Sequence, residues 1–221
     1  MVNNPASSRP RLGRAHFDAL VFYLRADIPL RIRYKDQSRR MKVLNGLMRF
    51  LVPTFMTHYA TTWGYTVYFP SKQYVAEDPD RAMRLLAHEA VHLLDSRRWT
   101  IPLFVFSYLF PQVLVLGVLG VPWLGPWAWA FLGFALPWPA PGRFYWEARA
   151  YALSMWLRYE SVQTLPYRAY FTSWVYYRMF PFPKKIDHAL AHWGRTIQTA
   201  KDPILHQVWT HYQAAVHTTK L

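Results

Sequence analysis

No charged side chain occurs between Trp99 and Gly142, while lysines and arginines crowd both flanks. An uncharged, largely apolar stretch of that length must either be hidden in a fold or lie in lipid, and a small domain seldom hides so much. Ile101 to Val121 is long enough to cross a bilayer as one helix kinked at Pro111, and Trp123 to Trp138 is on the short side for a second crossing. A membrane hairpin or re-entrant pair is therefore expected over 101–138. Pro122, Gly125 and Pro126 mark its turn, and Trp123, Trp127, Trp129 and Trp138 resemble interfacial aromatics. Arg97, Arg98 and Arg143 bracket the block, which places both ends and the remaining chain on the cytoplasmic side by the positive-inside rule. The competing reading is the buried core or substrate-covering lid of a soluble protein, and the frequent prolines favour it. Met1 to Arg14 is polar and basic with no apolar run behind it, so it lacks the layout of a secretory signal peptide.

The block splits the chain without splitting its core. The sequence has 221 residues, 52% of them hydrophobic, which suffices for one domain over 1–221 with 99–142 inserted and 161–221 as a helical, basic and aromatic extension. A formal charge of +14 predicts attraction to polyanions, either nucleic acid or an anionic membrane face. Cysteine is absent, so disulfides, thiolate-bound zinc and iron–sulfur clusters are excluded, and a transition metal must be held by imidazole and carboxylate.

Apolar periodicity predicts helices over Arg14–Arg25, Ser38–Phe50, Phe144–Glu160, Ile186–Ala200 and Pro203–His217. Ile28–Tyr34 alternates like a strand, and Phe55–Thr61 with Tyr65–Phe69 reads as a hairpin turning at Trp63-Gly64. Asp78-Pro79-Asp80 supplies a cap, a proline suited to the first turn and an acid at the positive end of a helix running to about Arg98. The expected fold class is α+β: mostly helical, with a small antiparallel sheet and an inserted hydrophobic helical hairpin. Tyr167 to Lys185 interleaves aromatic and basic residues, as a binding face or as packing with snorkelling cations.

The helix from Pro79 contains His88-Glu89-Ala90-Val91-His92. A spacing of four stacks both imidazoles on one helical face, as a tetrahedral zinc requires, and Glu89 is turned roughly 100° away, where it can deprotonate a metal-activated water without being a ligand. Leu85, Leu86, Val91 and Leu94 make the helix a buried one, which suits a dry catalytic site. A catalytic zinc takes three protein ligands and keeps one position for water. The metzincin pattern would place a glycine and a histidine soon after, and those positions hold Asp95 and Arg98. The better candidate for the third ligand is Glu147, in Trp146-Glu147-Ala148-Arg149-Ala150-Tyr151.

A His-Glu-x-x-His helix followed by a Glu-x-x-Ala helix resembles the gluzincin zinc metallopeptidases, and the likeness covers about Ile28 to Glu160. It implies a small sheet, an active-site helix and a glutamate-bearing helix. Gluzincins of the membrane-embedded, CAAX-protease-like kind also carry hydrophobic segments between the two metal helices, which would account for the long gap from His92 to Glu147. Tyr151 departs from that subgroup, where an aspartate often follows the ligand glutamate. The resemblance further implies an extended substrate along the sheet edge, with Tyr65 to Phe69, and so Tyr65, Val67 and Phe69, as the candidate strand.

Asp95 shares the face of His88 and His92, so it either orients a liganding imidazole or pairs with Arg97 or Arg98 at the helix end. His188 and His192 repeat the spacing of four with no acid at the catalytic-base position, which favours an exposed helix face over a second metal site. Tyr151, His188 and His192 are the candidates for stabilising a transition-state oxyanion. The expected function is zinc-dependent peptide-bond hydrolysis at a membrane, on a protein or peptide substrate. The alternative is a non-enzymatic protein that binds nucleic acid or anionic membrane, or a component of an oligomer or larger assembly such as a viral particle, with a vestigial or structural metal site.

Overall fold

The computed structural model describes residues 12–49, 54–57, 59–159, 164–174 and 178–218. Its first part runs α1 (Arg14–Asp27), β1 (Arg31–Tyr34), α2 (Arg39–Met48), β2 (Thr61–Trp63), β3 (Thr66–Phe69) and the short α3 (Lys72–Glu77). The long α4 (Pro79–Trp99) follows, then α5 (Ile101–Leu109), α6 (Val121–Leu124) and α7 (Pro141–Tyr159). The chain closes with α8 (Thr164–Thr172), α9 (Pro183–Gln198) and α10 (Pro203–Thr218).

The α+β character is as expected, but the sheet is mixed rather than antiparallel. Its order is β1-β3-β2, with β3 central, parallel to β1 and antiparallel to β2. The β2–β3 hairpin turns at Gly64, whose φ of 57° suits a residue without a Cβ. α2 intervenes between β1 and this hairpin, and a helical crossover of that kind lets a strand pair in parallel. The first hairpin arm is shorter than expected: Thr54–Thr57 forms a turn, and His58 lies outside the described residues. Phe50 and Glu160, at predicted helix ends, also lie outside them, as do residues 1–11.

α4 begins where its cap chemistry dictates, with the Arg81 N–H donating to the Asp78 carboxylate at 2.9 Å and Pro79 in the first turn. Met83, Leu86, Ala87 and Ala90 on this helix are fully buried, and full burial of a side chain the size of Leu86 contributes about 1.5–3 kcal/mol. Phe17 and Leu20 of α1, Val67 and Phe69 of β3, Leu153 of α7 and Leu205 and Val208 of α10 join the same core. The C-terminal helices are thus part of the central packing: α10 lies on α1 and α4, and α9 on α7 and α8.

A buried ion-pair relay fixes α4, α7 and α10 to one another. Arg149, on α7, donates to Asp95 of α4 and, through Nη2 and Nε at 2.6 and 3.0 Å, to Asp202. Asp202 in turn accepts the backbone N–H groups of Ile204 and Leu205 at 3.0 and 2.9 Å, capping α10. Asp95 therefore pairs neither with Arg97 nor with Arg98, because α7 brings a guanidinium to its buried carboxylate.

The uncharged block is a hairpin of unexpected construction. The single kinked helix expected over Ile101–Val121 is instead α5 followed, past Pro111, by the 3-10 segment Gln112–Gly120. α6 and Gly125, at φ 55°, turn the chain into a second 3-10 segment, Gly125–Ala135, which packs back against the first. Gly117 permits that contact, since a Cβ there would meet the Phe131 ring. By length and composition Gln112–Ala135 is apolar enough to cross a membrane, and only 6% of its most apolar window is buried. Trp123 and Trp127 are 84% and 82% exposed.

Replacing Arg149 with leucine leaves Asp95, 1% exposed, without its counter-charge. Equilibrium urea unfolding should show a loss of about 3–5 kcal/mol, the cost of stranding one partner of a buried pair, and Arg149→Lys should lose less.

Candidate metal centre

α4 and α7 cross in contact, and His88, His92 and Glu147 meet where they do. One helical turn separates the two histidines, so their rings stand together at 4.9 Å between centroids, with the Nε2 atoms 3.3 Å apart. Glu147 comes in from the facing helix with Oε2 3.3 Å from His88 Nε2 and Oε1 3.8 Å from His92 Nε2. Zinc bonds of 2.0–2.1 Å at the tetrahedral angle hold ligand atoms roughly 3.3 Å from one another, so the three donors already stand close to the separations such an ion imposes. All three side chains are buried. The donor set, two borderline imidazoles and one carboxylate, suits zinc, and among the described residues no fourth histidine or carboxylate joins the group.

The electrostatics favour the ligand-competent state at Glu147 and His92 and oppose it at His88. Burial pushes the Glu147 carboxyl up, but the His88 hydrogen bond and the nearby His92 and Arg143 outweigh it and hold the group well below the usual carboxylate range. Burial, with the positive neighbours His88, Arg149 and Arg143, takes His92 down to about 4, so this imidazole is neutral at pH 7. For His88 burial acts downward, and the hydrogen bond and charge of Glu147 reverse it and raise the group. An ionised carboxylate beside a neutral imidazole suits a divalent ion, and at His88 an ion would compete with a proton.

Neighbouring side chains orient the donors. Tyr108, on α5, donates its hydroxyl to Glu147 Oε1, and Ser154 on α7 lies 3.4 Å from His88 Nδ1. α5 is held at this place by the Trp146 indole N–H, which donates to the Ser107 hydroxyl at 2.9 Å. Gly142 permits the approach, because a Cβ there would meet the Ser107 carbonyl oxygen. His92 Nδ1 is buried with no hydrogen-bond partner, so Asp95 does not orient this imidazole as expected. Glu89, next to His88, accepts from the Thr62 hydroxyl at 2.5 Å, and burial raises its pKa. Thr62 ties β2 to α4.

The sequence-based candidates sort clearly. His88, His92 and Glu147 converge and Glu89 stands beside them. Tyr151 also reaches the centre, edge-on to the His88 ring at 4.7 Å and stacked on Tyr170 at 5.7 Å. His188 and His192 do not: both are exposed on α9, an amphipathic helix whose other face carries Ile186, Leu190 and Ile197 inward. Tyr65, Val67 and Phe69 do not form a substrate edge either, because β3 is central and paired on both sides. The strand beside Glu89 is β2. Thr62, Tyr108 and Ser154 escaped sequence reasoning. Only Tyr108 left a trace there, as a hydroxyl next to Ser107 in an apolar run, where a polar side chain needs a partner.

No family model matches this chain, and no curated protein or solved structure matches it.

Equilibrium dialysis followed by elemental analysis should find one zinc per chain and none in His92→Ala. Tyr108→Phe removes the hydroxyl that orients Glu147 and should weaken zinc binding by about 10–100-fold without unfolding the protein.

Proposed function

We propose that the chain is a zinc-dependent peptidase that works at a membrane surface. The observation that carries this is the convergence of His88, His92 and Glu147 at 3.3–3.8 Å with Glu89 adjoining. The gluzincin resemblance of the two helices agrees with it.

His88, His92 and Glu147 would hold the metal. Zinc, when bound there, supplies a Lewis acid that polarises a scissile carbonyl and makes water a better nucleophile at neutral pH. The protein's own groups do the rest. Glu89 takes a proton from the attacking water and passes it to the leaving amine, and the burial that raises its pKa brings it nearer the range where both transfers are efficient. The Thr62 hydroxyl fixes the Glu89 carboxylate by a 2.5 Å hydrogen bond. Tyr108 fixes Glu147 in the same way, and Tyr151 with Tyr170 walls the His88 side against water.

β2 offers the unpaired edge along which an extended peptide would add as a further strand, next to the general base. The exposed hairpin, with Trp123, Trp127, Trp129 and Trp138 outward, is the membrane-seeking element, and Arg97, Arg98 and Arg143 at its base hold the catalytic part on the cytoplasmic side. Because α5 belongs to that hairpin and also supplies Tyr108, the membrane contact and the metal centre share one helix.

Glu89→Gln should lower kcat toward a protein substrate by about 10²–10⁴-fold while the zinc content stays at that of the unaltered chain. Undiminished hydrolysis in this variant would refute the assignment of the base.

A further inference from the structure

The sheet has two faces with different chemistry. Register places Ile32, Tyr34, Val67, Phe69 and Thr62 on the face toward the core and α4, and leaves Arg31, Arg33, Thr66, Tyr68 and Trp63 on the other. On that outer face lies an open cavity of about 460 Å³, bounded by Arg31 and Arg33 of β1, Arg39 and Arg40 at the start of α2, Trp63 and Tyr68.

Four arginines line this cavity, no acidic residue does, and none of the four has an ion-pair partner among the described residues. Convergence of like charge on one concavity costs self-repulsion, which an anionic ligand removes. Guanidinium forks match the paired oxygens of a phosphate. Trp63, 62% exposed, stands at the lip. A cavity of this volume fits one compact group, within the usual range for small-molecule sites, whereas a nucleic-acid strand would need a basic groove that continues past it.

We propose that this cavity binds a phosphate-bearing group, either the headgroup of an anionic lipid or a free phosphorylated compound. The site lies on the sheet face opposite Glu89, so it is separate from the metal centre and does not depend on the peptidase assignment.

The test uses the full chain, with Arg31→Ser/Arg33→Ser and Arg39→Ser/Arg40→Ser as pocket variants. Lys184→Ser/Lys185→Ser removes equal charge from the exposed start of α9 as a control. Calorimetric titration with inorganic pyrophosphate should give saturable one-site binding, weakened about tenfold or more in either pocket variant and unchanged in the control. Co-sedimentation with phosphatidylcholine vesicles, with and without phosphatidic acid, separates the sources. A pocket-dependent gain from phosphatidic acid identifies a lipid headgroup, and pocket dependence confined to pyrophosphate identifies a soluble phosphorylated ligand. Absence of saturable binding to either probe overturns the proposal, as does equal weakening in the control, which would mean diffuse charge. Pocket-dependent binding of single-stranded DNA without binding of the phosphate probes would overturn it in favour of nucleic acid.

Discussion

The candidate centre depends on one buried carboxylate. Glu147 is 5% exposed, and a charge taken that far out of water is tolerated only among groups that compensate it. His88 supplies compensation from α4, Arg143 adds charge from α7, and Tyr108 adds a hydroxyl from α5. Moving any of these helices by an ångström or two would leave the charge unsolvated, so the local electrostatics and the tertiary packing require each other. The Asp95–Arg149–Asp202 relay secures the same crossing from the other side, since Arg149 lies two residues beyond Glu147 and reaches across to α4 and to the cap of α10.

Much of this centre could be read from sequence because its parts are local. The interval from His88 to His92 is one helical turn, and that period needs no knowledge of the fold. Glu147 was legible as an acid in a strong helical segment, flanked by Ala148 and Ala150, which are small enough for a close crossing. His188 and His192 show the limit: the same spacing sits on the exposed side of α9, and what separates the pairs is the apolar face on which each is mounted. The order of the sheet was not legible, since pairing β1 beside β3 is a long-range choice that neither strand encodes alone. Nor was Arg149 as the partner of Asp95, because a contact across helices leaves no periodic signal.

The uncharged block joins these themes. Its tryptophans are exposed along a doubled-back apolar course, yet its first helix carries Ser107 and Tyr108 near its end, and these bond to α7 beside Glu147. The element with the exposed apolar tip thus also carries a hydroxyl bonded to the candidate ligand carboxylate. Between the two outer segments, Gly117 leaves room for the Phe131 ring of the opposite arm.

The central claim is that two imidazoles of α4 and a carboxylate of α7 form one metal site with an open position. X-ray absorption fine structure at the zinc edge of the metal-loaded protein tests it most directly. The expected result is about four nitrogen and oxygen neighbours at roughly 2.0–2.1 Å, with outer-shell scattering from two imidazoles that falls to one in His92→Ala. A six-oxygen shell, or a spectrum without imidazole scattering, would contradict the account.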